Sequence, residues 1–373
     1  MQIAIVCYPT VGGSGVVATE LAKALACRGH TVHLLSSEPP VRYTPCLPKL
    51  LFHQVEPPDY PVFRYRPYES ALAGRLVRLV EDGVEVVHVH YAIPHAVSAY
   101  LAQKALERQG FHLPMITTLH GTDTVLVSQT PDLYPIIELA LQNSTRITAV
   151  SHALAEESCE RFHLPTPPEV IPNFVDTKAF SPKRYDAALR AAYAAPDEYL
   201  LVHASNFRPI KRVPWLIHLL AEVRAVGIPA KMLLIGDGPE RMHCEQLAHQ
   251  LGLNNAIHFV GSIQEVAPLL AIGDVFVLAS AYESFGLAAL EAMACGVPVV
   301  APAVGGLPEL IRDKAGRLFP PDDLTAARNA ILHILQDLPA YRAAARQRAL
   351  HYHTDKIVAH YERLYAQVRL MAS

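Results

Sequence analysis

Short apolar segments alternate with helical patterns along almost the whole chain, and this alternation restricts its fold more than any other feature. Parallel strands need a helical crossover between them, and such sheets are covered by helices on both faces. The pattern occurs as two series separated by a break. We therefore predict the α/β class, with two doubly wound, Rossmann-like domains. A length of 373 residues with 51% hydrophobic composition supplies two buried cores.

The predicted boundary between the domains is a proline-rich stretch at 164–182, where helices cannot continue. We expect a first domain over residues 1–170 and a second over residues 171–354. A last amphipathic helix over 355–373 has two options, packing on the second domain or packing back on the first. The predicted strands of the first series are 3–8, 31–35, 86–89, 115–119 and 146–150, and those of the second series are 199–203, 231–235, 256–260, 275–278 and 297–301.

Charge and hydropathy exclude several classes of partner. The formal net charge is -3 and both signs are spread along the sequence, so nucleic acid is not an expected partner. No apolar run is long enough to span a bilayer and no signal peptide is recognisable, so no membrane partner is expected. The 6 cysteines show no paired spacing, which favours a reducing, cytoplasmic location. No pattern fixes the oligomeric state, and a homo-oligomer is left open.

A glycine cluster follows the first predicted strand and precedes a helical segment, in the text VGGSGVVATE. Glycine lets the backbone approach a ligand, and a helix N-terminus favours anionic groups. Gly13, Gly15 and Ala18 also satisfy the dinucleotide fingerprint, with Glu38 about 20 residues further on. This match alone is weak, because a tight turn between a strand and a helix uses the same glycines. It leaves an NAD-dependent dehydrogenase as an alternative.

Two glutamates eight residues apart flank a predicted helix start in the second half, with Glu283 before the Ser-Phe-Gly turn and Glu291 after it. If the helix starts near Phe285, Glu291 lies about two turns inside it, and both carboxylates can face one cleft. The backbone amides of Phe285, Gly286 and Leu287 are then expected to bind a phosphate. Either glutamate alone would be an ordinary solvated acid. Their joint pattern indicates a binding site.

Two cations, Arg208 and Lys211, follow a predicted strand in the text SNFRPIKR. Positive groups there can neutralise a diphosphate leaving group, although surface solvation is the ordinary alternative. No D-x-D motif for a metal-bound nucleotide is present, and the pair His88 and His90 has no third ligand at metal-binding spacing. We therefore expect no divalent metal and no cofactor, because the cations and the helix start can fill that electrostatic role.

These segments together carry a resemblance to a known family. The early glycine loop, the basic pair, IGDGPE at 235–240 and the spaced glutamates are similar to the retaining GT-B glycosyltransferases of family four. HYAIPHA and TTLHGTD resemble more closely the N-acetyl-α-D-glucosaminyl L-malate synthases of bacillithiol biosynthesis, and the likeness runs nearly end to end. It implies two domains that face a cleft, the first for the acceptor and the second for the nucleotide sugar. It also implies transfer of N-acetylglucosamine from UDP-GlcNAc to the hydroxyl of L-malate, with UDP released.

The resemblance implies roles for residues of the second domain. Glu291 would hold the ribose hydroxyls, and Glu283 would contact the donor sugar. Arg208 and Lys211 would bind the diphosphate. Asn206 occupies the place where many relatives carry an arginine, so Arg208 is the expected substitute. Arg208, Lys211 and Glu283 belong to the expected catalytic set, and the leaving phosphate would help to deprotonate the incoming hydroxyl.

In the first domain, the resemblance places Gly13 against the donor phosphates and His120 beside the transferred sugar, where it completes the catalytic set. Malate needs hydrogen-bond donors for two carboxylates and a hydroxyl. Ser14 begins the helix after the glycine loop, and Tyr91 and Thr118 stand at neighbouring strand ends, where ligands collect in doubly wound folds. All three match the acceptor positions that the resemblance implies. A helix cap, a core aromatic and a strand-favouring residue are their structural alternatives.

Three other functions stay open at this point: a family-four transferase with another acceptor such as a lipid, the NAD-dependent dehydrogenase, and a sugar-nucleotide sensor without turnover. A lipid acceptor is disfavoured, because the first half has no basic amphipathic helix. Since donor and acceptor contacts fall in different predicted domains, we also expect closure about the proline-rich stretch when UDP binds.

Overall fold

The computed structural model describes residues 1–9, 12–59, 66–124 and 130–371. The chain forms two compact units, one made of Met1–Asn173 with Asp355–Ser373 and the other of Phe174–Thr354. Each unit contains a parallel sheet. The division falls inside the proline-rich stretch that the sequence singled out. The last two residues of the predicted segment 355–373 lie outside the described residues.

The sheet of the first unit is parallel throughout, in the order β3-β2-β1-β4-β5-β6-β7. Its strands are β1 Gln2–Val6, β2 Thr31–Ser36, β3 Leu50–Gln54, β4 Val86–His90, β5 Met115–Leu119, β6 Arg146–Ala149 and β7 Glu169–Val170. The order reverses at β1, because β2 and β3 extend to one side of it and β4 to β7 extend to the other. In doubly wound folds ligands bind at this reversal, beyond the carboxyl ends of the two diverging strands.

The helices of the first unit follow the loops at the strand ends. They are α1 Gly13–Cys27, α2 Tyr68–Glu81, α3 Val97–Glu107, α4 Tyr134–Gln142 and α5 His152–Arg161. In α1, Val17, Leu21 and Leu25 recur at helical spacing and are buried, which gives the helix its apolar face. At the start of α5, the hydroxyl of Ser151 accepts a hydrogen bond from the amide of Leu154 and caps the helix.

The second unit has a parallel sheet in the order β10-β9-β8-β11-β12-β13, with its reversal at β8. Its strands are β8 Tyr199–Ala204, β9 Ala230–Ile235, β10 Ile257–Gly261, β11 Val275–Val277, β12 Val299–Pro302 and β13 Gly316–Phe319. Its helices are α6 Ala187–Tyr193, α7 Val213–Ala225, α8 Arg241–Gln250, α9 Ala267–Ala271, α10 Leu287–Ala294, α11 Leu307–Leu310, α12 Leu324–Gln336 and α13 Leu338–Leu350. Leu216, Leu220 and Ile331 from two of these helices share one core cluster with strand residues.

The last helix, α14 Thr354–Leu370, packs on the first unit. The apolar stripe predicted for it is confirmed, because Ile357, Tyr361, Leu364 and Val368 are buried. The guanidinium of Arg28 donates to a carboxylate oxygen of Glu362 at 2.6 Å and so ties α14 to the end of α1. Tyr365 reaches further in, and its hydroxyl lies 2.8 Å from Nδ1 of His88 on β4. Like the other helices of the described ranges, α14 is not long and apolar enough to cross a membrane.

All the strands predicted from the sequence are present, with ends that shift by at most two residues. The strands that the sequence analysis missed are β3, β7 and β13, and each lies at the edge of its sheet. Edge strands are short or partly exposed, so they lack the continuous apolar run that marks a central parallel strand. β7 has only 2 residues, and only the first residue of β3 is buried.

Candidate active site

In the second unit, the loops after β8, β9, β11 and β12 meet at the carboxyl edge of the sheet. The amide of Glu240, after β9, donates to the carbonyl oxygen of Phe207, after β8, at 3.1 Å. The amide of Gly306, after β12, donates to the carbonyl oxygen of Glu283, after β11, at 2.9 Å. These bonds bring the loops that carry the predicted donor-binding residues to one edge, next to the strand reversal where ligands bind.

An ion pair between Lys211 and Glu283 is the central feature of this edge. The ammonium nitrogen lies 2.7 Å from a carboxylate oxygen, and the side chains are 23% and 15% exposed. The backbone supports the pair, because the amide of Ala281 donates to the carbonyl oxygen of Ile210 at 2.9 Å. An ammonium group has three donors. Lys211 can therefore keep this carboxylate and still bind an anion.

Two glycines let the loops approach this closely. Gly305 has a φ of +51°, and a Cβ there would collide with the carbonyl oxygen of Glu283. Gly238 has a φ of +159°, and a Cβ there would collide with the carbonyl oxygen of Asn206. Glycine is the residue that tolerates both the backbone conformation and the contact. Gly305 was missed by the sequence analysis, although the text VGGLPE after a strand was a usable signal.

Helix α10 begins at Leu287, two residues later than predicted. Gly286 precedes it in a left-handed conformation with a φ of +93°, and Phe285 is buried. Glu291 therefore lies just over one turn inside the helix, and the expectation of two turns is wrong. The amides of Phe285 and Gly286 belong to the preceding turn, so only Leu287 of the three predicted amide donors is part of the helix. Glu291 itself is 7% exposed.

The loop after β8 holds the other predicted donor contacts. Arg208 is exposed, whereas the side-chain oxygen of Asn206 is buried and has no hydrogen-bond partner among the described residues. His203, which the sequence analysis did not select, donates from Nδ1 to the carbonyl oxygen of Val277 at 2.9 Å. Its Nε2 lies 2.8 Å from the hydroxyl of Ser205. Burial lowers the pKa of His203 to about 4, so this histidine is neutral and joins β8 to β11.

In the first unit, predicted residues follow β1, β4 and β5, which are adjacent in the sheet. The ring of Tyr91, after β4, lies 5.2 Å from that of Tyr8, after β1, and 5.3 Å from that of His120, after β5. Gly13 is exposed as the first residue of α1, and Ser14 is 7% exposed beside it. Tyr8 was missed by the sequence analysis. Its position at the end of the first strand was the available signal.

His120 is almost completely buried. Its Nε2 lies 2.8 Å from Nδ1 of His90, and its backbone amide donates to a carboxylate oxygen of Asp123 at 3.0 Å. The other oxygen of Asp123 accepts from the amide of Ala92 at 2.6 Å, so one carboxylate joins the loops after β4 and β5. Burial lowers the pKa of His120 to about 3 and raises the pKa of Asp123 to about 6. His120 is therefore a neutral imidazole near pH 7.

The structure places Thr118, which was predicted as an acceptor contact, in the interior of the first unit. Thr118 is 0% exposed, and its hydroxyl lies 2.7 Å from Nε2 of His88 and 2.6 Å from the hydroxyl of Thr148. The hydroxyl of Tyr361 from α14 also hydrogen-bonds to it. The physical reason is the alternation of side chains along β5, which directs Thr118 to the side that α14 covers. Its hydroxyl is part of a buried hydrogen-bond network.

A different threonine lies beside Tyr91. Thr122 is exposed in the loop after β5, and its hydroxyl oxygen lies 3.5 Å from the hydroxyl oxygen of Tyr91. Thr122 lies within the segment TTLHGTD but is not among the predicted acceptor contacts. The signal that could have found it is its place two residues after His120, beyond the end of the strand.

Two alternatives from the sequence concern the glycine fingerprint and a metal site. Gly13 is the first residue of α1, and Gly15 and Ala18 are buried within the helix. Among the residues that the structure describes, no group of three or more His, Cys, Asp and Glu side chains could hold a metal ion.

Comparison with known families gives matches in both halves of the chain. The family described as "Glycosyltransferase Family 4" matches residues 11–179, and the family described as "Glycosyl transferases group 1" matches residues 198–337. The chain is also similar to a curated protein of Bacillus anthracis, "N-acetyl-alpha-D-glucosaminyl L-malate synthase". The two are 39% identical over 375 residues, which cover 99% of this chain and 97% of that protein. These matches overturn the dehydrogenase alternative.

Solved structures share the fold. Sucrose-phosphate synthase from Thermosynechococcus elongatus superimposes with a TM-score of 0.79 and 26% identity, over 100% of both chains. HepE from Anabaena, solved in complex with UDP and glucose, superimposes with a TM-score of 0.80 over 98% of this chain and 99% of its own. The second identity is 19%, so that likeness concerns the fold alone. Two parallel-sheet α/β units of this kind make up the GT-B architecture that the sequence predicted.

Proposed function

This chain belongs to the N-acetyl-α-D-glucosaminyl L-malate synthase family within the family-four glycosyltransferases, and on that premise we propose its reaction. It transfers N-acetylglucosamine from UDP-GlcNAc to the hydroxyl of L-malate with retention of anomeric configuration. The products are GlcNAc-malate and UDP. The observation that carries the proposal is the 39% identity with the Bacillus anthracis synthase over 99% of this chain. The first loop, both strand-end clusters and the last helix all fall within that match.

The donor-binding role is supported by the charges at the carboxyl edge of the second sheet. Lys211 and the exposed Arg208 bind the diphosphate, and the start of α10 at Leu287 adds the positive end of a helix dipole. Glu283 orients Lys211 through the 2.7 Å ion pair and contacts the sugar. Glu291 holds the ribose. These groups stabilise the negative charge that develops on the leaving diphosphate, so no divalent metal is needed.

The acceptor-binding role belongs to the cluster at the reversal of the first sheet. Ser14 lies in the first turn of α1, where a hydroxyl and backbone amides suit a carboxylate. Tyr91 and Thr122 supply a pair of hydroxyls whose oxygens are 3.5 Å apart. Thr122 takes the place that the sequence analysis gave to Thr118, because it is exposed. His120 contacts the transferred sugar.

The chemistry that fits these groups is transfer on one face of the sugar. The bond from the anomeric carbon to the diphosphate oxygen breaks as the bond to the malate hydroxyl oxygen forms on the same face. The hydroxyl proton passes to the departing phosphate oxygen. His120 is poorly suited to take that proton, because burial lowers its pKa to about 3. Positioning and charge stabilisation then supply most of the rate enhancement.

UDP release tests this proposal. Purified protein is incubated with UDP-GlcNAc and, separately, with L-malate, D-malate, lactate, citrate or no acceptor. We expect UDP release that depends on L-malate and a product whose anomeric proton shows the same configuration as the donor. If UDP is released with another hydroxy acid but not with malate, the assignment to the family stays valid and the proposed acceptor is wrong. Donor binding with no release for any acceptor would favour a sensor.

A further inference from the structure

Four histidines gather at the carboxyl ends of β4 and β5, and the proposed reaction uses only one of them. His88 and His90 lie on β4, His95 follows it, and His120 follows β5. The ring of His90 lies 4.5 Å from that of His88 and 5.1 Å from that of His120. Burial lowers the pKa of all four below 6.5, so each ring is neutral. A neutral imidazole carries one proton, and its position decides what the ring can do.

Hydrogen-bond partners restrict these positions. Nδ1 of His95 lies 2.6 Å from the carbonyl oxygen of His90, so this nitrogen carries the proton and donates it. Nδ1 of His90 lies 2.8 Å from Nε2 of His120. Since both rings are neutral, one of these two nitrogens donates and the other accepts. Nε2 of His90 is buried and has no hydrogen-bond partner among the described residues.

The unpartnered Nε2 of His90 decides between the two arrangements. If this nitrogen carried the proton, a buried N–H donor would make no hydrogen bond, which is strongly unfavourable. If the proton is on Nδ1, Nε2 keeps only an unshared lone pair, and the N–H donates to His120. His120 then accepts at Nε2, so its own proton must be on Nδ1.

We propose that His90 is a positioning residue that fixes His120 as the neutral tautomer with its proton on Nδ1. The proposal rests on the proposed function, in which His120 lies beside the transferred sugar. In that position the Nδ1–H donates a hydrogen bond to an oxygen of the sugar. Nε2, the basic nitrogen of this tautomer, is already occupied by the proton of His90. His120 therefore orients the donor sugar and takes no proton from the acceptor.

The ¹⁵N chemical shifts of the His120 ring test the tautomer without requiring activity. Protein labelled with ¹⁵N-histidine is compared with the His120→Asn variant, which identifies the His120 signals among the 19 histidines. We expect the shift of a protonated nitrogen for Nδ1 and of an unprotonated nitrogen for Nε2. The reverse assignment in the wild-type protein would overturn the proposal. The measured tautomer of His120 does not depend on which acceptor the protein uses, so this test remains valid if malate is not the acceptor.

Two substitutions of His90 separate the hydrogen bond from the packing. His90→Phe keeps an aromatic ring but has no N–H, so we expect His120 to become a mixture of tautomers and kcat to fall on the order of 10-fold. His90→Asn places an amide N–H near the position of Nδ1, and we expect it to retain the Nδ1–H tautomer and to keep kcat within about 3-fold. Wild-type tautomer populations in His90→Phe would contradict the proposal. If His90→Phe does not fold, the ¹⁵N spectra of the wild-type protein and of His90→Asn still show which tautomer His120 adopts.

His33→Asn is the matched control for the loss of a buried histidine. His33 lies on β2 of the same sheet, 8% exposed and hydrogen-bonded to His53. β1 and β4 separate it from the strand that precedes His120. We expect this variant to leave the His120 tautomer and kcat unchanged. An equal fall in kcat for His33→Asn and His90→Phe would indicate a general loss of packing and would overturn the positioning role.

Discussion

The ammonium nitrogen of Lys211 lies 2.7 Å from a carboxylate oxygen of Glu283, and the two residues come from loops after β8 and β11, 72 residues apart in sequence. β8 and β11 are the strands at which the order of the second sheet reverses. The ion pair thus stands where a doubly wound sheet binds its ligand. Its value lies in preorganisation, because a lysine that is already oriented loses less entropy when a phosphate binds.

Lys211→Ala should reduce kcat/KM for UDP-GlcNAc by on the order of 100-fold or more, because it removes a preorganised cation from the leaving diphosphate. UDP release at saturating malate measures the effect. Lys231→Ala is a matched control, since Lys231 pairs with Glu198 at 3.2 Å and the two side chains are 24% and 21% exposed. We expect the control to be close to wild type. Similar losses in both variants would mean that the ion pair is structural.

Removal of divalent metal should leave turnover unchanged. The cations on the loop after β8 and the start of α10 stabilise the diphosphate in the proposed reaction, so no metal ion is required for that purpose. Initial rates are measured after dialysis against EDTA and again after addition of magnesium or manganese. Activity that disappears with EDTA and returns with magnesium would show that these groups are insufficient.

Thr122→Val and Thr118→Val should separate binding from stability. A hydrogen bond to a charged carboxylate is worth roughly 1.5–3 kcal/mol, or about 10- to 150-fold in affinity, so Thr122→Val should raise the KM for malate by that factor. Ser14→Ala and Tyr91→Phe should act in the same direction, with UDP binding nearly intact. Thr118→Val leaves buried partners unsatisfied and should lower the free energy of unfolding by about 1–3 kcal/mol with normal malate dependence. The opposite pattern would restore Thr118 as the acceptor contact.

The stability of the first unit should fall as the pH is lowered from about 6.5, where unfolded histidine begins to bind protons. Burial lowers the pKa of His88 and His120 to about 3 and that of His95 to about 4. These histidines therefore stay neutral in the folded unit just below pH 6.5. The unfolded state then binds more protons, and each histidine contributes up to about 1.4 kcal/mol per pH unit. Asp123 acts in the opposite direction between its ordinary value of 3.8 and its raised pKa of about 6, but it is one group against four buried histidines, because burial also lowers the pKa of His90.

Urea denaturation at a series of pH values between 7 and 5 measures this slope. His95→Asn provides the comparison, because the asparagine amide can still donate to the carbonyl oxygen of His90 but does not titrate. We expect the variant to lose less stability than the wild type over this interval. Equal slopes would mean that the buried histidines do not set the acid sensitivity of the unit.

The sequence was sufficient for the parts of this molecule that depend on periodicity. Short segments rich in apolar and β-branched residues are typical of central parallel strands, and this composition was sufficient to predict β4 and β5 from the sequence. The positions of Lys211 and Glu283 in loops after strands could also be predicted, whereas the ion pair between them could not. What the sequence could not supply is the direction of a single side chain. Thr118 and Thr122 are four residues apart, but Thr118 is buried on β5 among its hydrogen-bond partners, whereas Thr122 is exposed in the loop after the strand.

The same reason explains why His90 was missed. On a strand, His88 and His90 alternate like any pair of core residues, and the sequence offered only a metal site as their function. Their partners are distant in sequence, since His120 is 30 residues away and Tyr365 lies 277 residues from His88. Local patterns carry no information about such contacts. Buried polar groups need partners, but which partner depends on the assembled fold.

The packing of α14 on the first unit has a consequence for how the protein is made. The ribosome releases β4 and β5 long before Tyr365 exists, and the hydrogen bond from His88 to Tyr365 spans 277 residues. At synthesis rates of about 5–20 residues per second, this interval lasts roughly 15–55 s. Throughout that time the nascent first unit displays His88, Thr118 and Thr148 without their covering helix. The second unit can fold during this interval. The first unit, although it is synthesised first, is therefore the last to complete its packing.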